Sequence, residues 1–238
     1  MKNNAKIFLK DLGLMDYKAA WAQQTALHKE LVSNKLSSNP NTIQHFILCE
    51  HPVVYTLGRS GSEDNLLLSQ NELSQKGFAY YKINRGGDIT HHGPGQIVGY
   101  PILDLAYFKE DVGWYIRSLE EVIIRTLADY EIQAQRIEKF TGVWIKGQPM
   151  RKIAAIGVHM SRWVTLHGFA LNVHNDISLF DHIIPCGIQD PNKSVTSMAV
   201  ELGKEIAIEE VKKRLIQHFN TVFDVEISIP KEKITQND

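Results

Sequence analysis

The chain is poor in cysteine: Cys49 and Cys186 are the only two in 238 residues. That is no disulfide framework, so free thiols and a reducing cytoplasm are expected. Charge of either sign is not in excess, with 26 basic against 27 acidic side chains and a net charge of −1. This removes the electrostatic case for nucleic acid or an anionic membrane surface as partner. No apolar run approaches the roughly 18–20 residues that span a bilayer, and the N-terminus runs into a short apolar strand without a signal-peptide core. No C-x-x-C or H-x-x-x-H pair is present, so no metal site is expected. The P-loop and dinucleotide-binding glycine spacings are also missing, as are internal repeats and low-complexity segments.

What is present is ordinary globular composition, 43% hydrophobic and 22% charged. Apolar spacing of three and four predicts a helix over 112–130 and another over 208–223. A third helix begins after Asp16, which can cap it, with Tyr17, Ala20, Trp21, Leu27 and Leu31 on its apolar face and Gln24 interrupting that face. A short helix over 66–76 ends at Gly77. Strands are predicted at 7–9 (an edge strand), 43–49, 53–55, 78–83, 99–105, 134–137, 142–145, 152–160 and 166–173, with a further strand around Ile227 and Ile229. A turn over 146–149 makes a hairpin, and 231–238 is a polar tail. Strands that cluster between helices, without alternating with them, predict one α/β (α+β) domain with a mixed, largely antiparallel sheet flanked by helices.

Chemistry concentrates in three places. Arg85-Gly86-Gly87-Asp88-Ile89-Thr90-His91-His92-Gly93-Pro94-Gly95-Gln96 carries four glycines, a proline and two histidines in twelve residues, a pattern foreign to a helix or a plain strand. Such a run is a structural turn, an anion cradle of backbone N–H groups, or a wall that leaves room for an apolar chain. His91 and His92 are adjacent, so on extended backbone they point to opposite sides and do not share a metal. Cys186 stands in Pro185-Cys186-Gly187, presented from a turn; a free cysteine is otherwise a small buried hydrophobe, the reading favoured for Cys49 at the end of Phe46-Ile47-Leu48. Lys152 opens a strand, where lysine is normally a solvated charge, but beside a thiol it favours thiolate and can move protons. His167-Gly168-Phe169-Ala170-Leu171-Asn172-Val173 is a third wall or an ordinary half-buried strand. A Cys–His dyad using His167, His91 or His92 stays open as an alternative.

Read in order, these segments, with His51-Pro52-Val53-Val54-Tyr55-Thr56-Leu57-Gly58-Arg59, Tyr100-Pro101-Ile102-Leu103-Asp104-Leu105 and Gly142-Val143-Trp144, resemble the lipoyl(octanoyl) transferases over about residues 42–202. The resemblance implies the catalytic fold of biotin- and lipoate-protein ligases and a single catalytic domain over 1–238. It implies transfer of an octanoyl group from octanoyl-acyl carrier protein, through a thioester on Cys186, to a lysine of a lipoyl domain, the first step of endogenous protein lipoylation. Lys152 would be the general acid/base. Arg85, Gly86, Gly87, Asp88, Ile89, Thr90, His91 and His92, with Ala155, Ile156 and Gly157 and with Gly168, Phe169 and Ala170, would line the acyl site. The implied acceptors are lipoyl domains of 2-oxoacid dehydrogenases and the glycine cleavage H protein; no cofactor, metal, nucleic acid or membrane is implied, and the expected state is a monomer in the cytoplasm. Three other readings are an ATP-dependent lipoate- or biotin-protein ligase, a non-catalytic module that binds acyl carriers or lipoyl domains, and a cysteine amidase.

Overall fold

The computed structural model describes residues 5–37, 42–184 and 192–229. Helix α3 (Val112–Ala128) forms where the apolar spacing is strictest. Asp111 caps it by accepting the Trp114 N–H at 2.9 Å, and Tyr115, Leu119, Val122, Ile123 and Leu127 are buried. It stops two residues short of the expected end, where the chain turns through Glu131 at φ 60°. After the short helix α4 (Met198–Leu202), helix α5 (Ile208–Phe223) buries Val211, Leu215, Phe219 and Phe223, four residues apart along one stripe. The two helices cover one face of the main sheet, meeting Phe46, Leu48, Ile97, Phe169 and Leu171. Helix α1 (Tyr17–Leu36) lies on the other face, over Ile47, Cys49, Val98, Tyr100 and Ala170. Successive residues thus serve opposite layers, as the two-residue strand period requires.

The main sheet runs in the order β12 (Ile227–Ser228), β1 (Lys6–Leu14), β2 (Ile43–Glu50), β6 (Gln96–Ile102), β10 (Val164–Asn172), β9 (Met150–Ser161), β8 (Phe140–Ile145), β7 (Ala134–Ile137), with β11 (Lys193–Val195) beside β9. From β2 to β7 the neighbours are antiparallel, whereas β1 is parallel to both β2 and β12. The first strand is therefore not an edge. After α5 the chain returns and adds β12 outside it, pairing Ile7 with Ile227; two residues are too few to announce that pairing by periodicity.

A second sheet, of β4 (Ala79–Lys82), β3 (Val54–Leu57) and β5 (Ile89–His92), was not expected from the sequence. It corrects the reading of 85–96 as non-strand. Ile89–His92 extends because β3 pairs with it antiparallel, Leu57 opposite Ile89 and Val54 opposite His92. The flanking glycines hide a strand that only this pairing creates. Similarly, β6 begins at Gln96, earlier than expected. Helix α2 (Gln70–Lys76) begins later, because Ser69 and Glu72 close a reciprocal capping box there. Gly77 ends it at φ 67° as expected. No helix among the described residues is long and apolar enough to cross a membrane. The tail 231–238 lies outside the described residues.

The contact between the layers sets the stability of the sheet. Phe219 is fully buried and stacks on Phe46, ring centroids 4.4 Å apart, and on Phe223 at 4.3 Å. Phe219→Ala is expected to remove about 3–5 kcal/mol, read as a fall in the urea midpoint with an unchanged m value.

Candidate active site

A cavity of about 320 Å³ lies between the main sheet and the small one. Small residues on paired strands make room for it: Ala155 stands opposite Ala170, and Gly157 opposite Gly168. The stretch 85–88 crosses over this pair. Gly86 N–H donates to the Val158 carbonyl at 2.9 Å, and a Cβ on Gly157 would lie 2.8 Å from the Gly86 oxygen. A Cβ on Gly168 would lie 2.1 Å from the Gly99 oxygen on β6. Both positions require glycine for backbone approach.

Arg85 is buried and ties this stretch to β3, its Nη2 donating to the Thr56 carbonyl at 2.6 Å and to Thr56 Oγ1 at 3.1 Å. Asp88 accepts from its neighbour Ile89 N–H at 2.7 Å and from Asn65. Arg85, Gly87, Asp88, Ile89, Thr90 and His92 line the cavity; Gly86 and His91 do not. His92 donates from Nδ1 to Gln96 Oε1 at 2.7 Å, because Gln96 Nε2 is itself spent as donor to Asn172 Oδ1 at 2.8 Å. His91 points to the opposite side of β5, against Tyr55 and edge-on to Phe180 at 5.1 Å.

From the β9–β10 walls, Ala155, Gly157, Gly168 and Ala170 border the cavity. Ile156 and Phe169 also border it, but their side chains belong to the layer under α3 and α5, with the Phe169 ring 6.3 Å from Phe46. Strand alternation forbids all three residues of either triplet from pointing one way. The cavity also takes Tyr17, Val98, Tyr100, Lys139, Phe140, Thr141 and His167. Most of these gave no signal beyond an ordinary helix or strand position, although the shared parity of Val98 and Tyr100 places them on one face.

Lys152 is half-buried at the outer part of the cavity. It pairs across strands with Trp144, and its Nζ stands 4.9 Å from the indole centroid, where the ring face attracts an ammonium. Gly142, at φ 123°, leaves space for the lysine chain; a Cβ there would lie 3.3 Å from Lys152 Cε. A narrow extension of the cavity is lined by Lys152 together with Phe180 and Val195. Cys186 lies outside the described residues; Phe180 precedes it in the chain and Val195 follows it. Cys49 is fully buried and 3.5 Å from His51 Nε2, and burial pushes its thiol far up, which makes it inert. Among the described residues no cluster of three or more His, Cys, Asp or Glu side chains is arranged to hold a metal ion.

The profile of the lipoyl protein ligase A/B catalytic domain matches residues 16–220. The chain belongs to this family. It is 54% identical over 229 residues to an octanoyltransferase of Flavobacterium psychrophilum, covering 93% of this chain and 98% of that one. It is 51% identical over 232 residues to an octanoyltransferase of Christiangramia forsetii, covering 94% and 98%. It is therefore an enzyme of the acyltransferase class. Among solved structures, a bi-partite lipoate protein ligase from Thermoplasma acidophilum superposes with a TM-score of 0.70 at 15% identity, covering 96% of this chain and 88% of that one. Lipoate-protein ligase A bound with ATP gives 0.68 at 15% identity, covering 98% and 90%. These two establish that the family fold, a mixed sheet flanked by helices, is shared.

The buried histidines make the fold acid-sensitive. Burial lowers His51 and His91 from 6.5 to about 4, and His167, further opposed by Arg85, to about 3. Between about pH 6.5 and pH 4 the unfolded chain therefore binds protons that the folded chain refuses, and stability falls as pH falls. Each such group contributes a slope of about 1.4 kcal/mol per pH unit. His91→Phe is expected to flatten the pH dependence of urea-unfolding free energy between pH 6 and pH 5 by about one proton.

Proposed function

We propose that the chain transfers its octanoyl group in two covalent steps, through a thioester on Cys186 with Lys152 as the proton carrier. Octanoyl transfer in protein lipoylation is the function that the family and the octanoyltransferase relatives assign to it; the route and the partners are the proposal. The observation that carries it is the pocket that Lys152 shares with Phe180 and Val195, residues six before and nine after Cys186 in the sequence. The small apolar floor of Ala155, Ala170 and Val98 suits a fatty chain.

In the first step the Cys186 thiol gives its proton to the Lys152 amine, and the thiolate attacks the thioester carbonyl of octanoyl-acyl carrier protein. The new C–S bond forms as the carrier's C–S bond breaks, and the carrier thiolate takes the proton back from Lys152. One thioester replaces another, so the step is nearly balanced in energy. In the second step the amine of an acceptor lysine attacks the Cys186 thioester. The amide forms, the Cys186 sulfur leaves, and Lys152 relays the amine proton to it. The donor thioester already holds the energy of the amide, so no nucleotide is consumed. The acceptors are lipoyl domains of 2-oxoacid dehydrogenases and the glycine cleavage H protein, and the chain acts as one catalytic domain, a cytoplasmic monomer.

Intact-mass analysis after mixing with octanoyl-carrier is expected to find the acyl group on Cys186. Cys186→Ala should form no adduct, whereas Cys49→Ser should keep most activity. Lys152→Ala should slow single-turnover transfer by about 10²–10⁴, and Lys152→Arg should rescue poorly because guanidinium keeps its proton near neutrality. An adduct on Cys49, full activity in Cys186→Ala, or strict dependence on ATP would overturn the proposal, the last moving the chain to the ligase reading.

A further inference from the structure

The cavity has one exposed end and one buried end. Lys139, Phe140 and Thr141 at one end are exposed, while Val98, Tyr100 and Tyr17 at the other are buried. Tyr100 on β6 stands in the row of Gly168 and Gly157, two strand spacings (roughly 10 Å) across from β9 and five residues (roughly 16 Å) along it from Lys152, so the cavity runs obliquely over the strands between the two ends. Beyond β6 the path is met by Tyr17, the first residue of α1. Its ring is only 2% exposed. It stacks on His92 at 5.9 Å and 14° and on Tyr81 at 5.6 Å and 20°, and it meets His51 edge-on at 5.1 Å. The Asp16 cap fixes the helix start that presents it, accepting the Ala19 N–H at 3.0 Å.

Space exists on the far side. One turn along α1, Trp21 stands 6.4 Å from the Tyr17 ring and lines a separate surface groove of about 540 Å³ with His28, Asn84 and His159. Tyr17, which touches Trp21 of the groove, and the pair His167 and Asn84, Nε2 to Oδ1 2.8 Å, together form the partition between the cavity and a groove that could hold more chain.

We propose that Tyr17 sets the acyl-chain length of this enzyme. A chain that enters at the Lys139–Thr141 end fills the cavity when its methyl terminus reaches the Tyr17 ring, and longer chains are refused by that ring. The proposal rests on the reading of this cavity as the acyl site. Each methylene that gains burial is worth about four-fold in relative affinity, so discrimination against short chains is gradual while discrimination against long ones is a steric stop.

The test measures single-turnover adduct formation by intact mass, with carriers bearing six-, eight-, ten- and twelve-carbon chains. Wild type should peak at eight. Tyr17→Ala should open the partition and move the peak to ten or twelve, gaining about four-fold per added methylene. Tyr17→Trp keeps the stacking, thickens the wall and should move the peak towards six; it decides the matter if Tyr17→Ala does not fold. Ala155→Leu, which fills the floor, separates the two claims. If it leaves octanoyl transfer unchanged, the cavity is not the acyl site. If it suppresses transfer while the Tyr17 variants still peak at eight, Tyr17 is not the length determinant.

Discussion

The rest of the site depends on one close approach of backbone to backbone. Stretch 85–88 can cross the main sheet only because Gly157 carries no side chain beneath the Gly86 carbonyl, and Gly86 N–H bonds to Val158 at the crossing. That contact holds the three-stranded sheet at a fixed height over β9 and β10. A side chain at 157 would lift the small sheet and widen or collapse the space below. Gly58 repeats the device one layer up: a Cβ there would lie 2.2 Å from the Gly87 oxygen.

Polar groups then lock what the glycines allow. Arg85 reaches under the small sheet to Thr56, and Gln96 gathers His92, the His91 carbonyl and Asn172 into one network. Asn172 passes it on, its Nδ2 donating to the Thr196 carbonyl at 2.9 Å. Thr196 N–H in turn bonds to the Lys152 carbonyl at 3.0 Å. The network thus runs from the histidine wall to the backbone of the proposed proton carrier. Buried donors and acceptors left unmade are expensive, so this chain of bonds holds the cavity walls in register. The histidines in and around it stay neutral because burial disfavours their charged form.

The proposed chemistry uses this rigidity unevenly. Lys152 is held by its cross-strand indole and by the gap at Gly142, so its ammonium end is positioned by regular strand geometry. The acyl chain needs only an apolar trough of fixed length. On that proposal the sheet supplies the trough and the start of α1 supplies its end.

The sequence by itself determined the long elements. The helices at 112–128 and 208–223 carry an apolar repeat that needs no partner to be seen, and β7 to β10 follow turn residues and alternation. It also marked the glycine-rich run and Cys49's place in the core, because composition and position alone distinguish them, whereas Lys152, locally an ordinary strand-end charge, stood out through the family resemblance. Tertiary structure decided the remainder. Ile89–His92 is a strand only because β3 lies beside it, and β1 is interior only because β12 arrives from more than two hundred residues away. Ile156 and Phe169 turn from the cavity because the strands that bear them alternate about a face that no local pattern identifies. Tyr17 reads locally as one more apolar helix position. Its place at the end of the cavity follows from how α1 docks against two sheets, a long-range packing outcome that local periodicity does not encode.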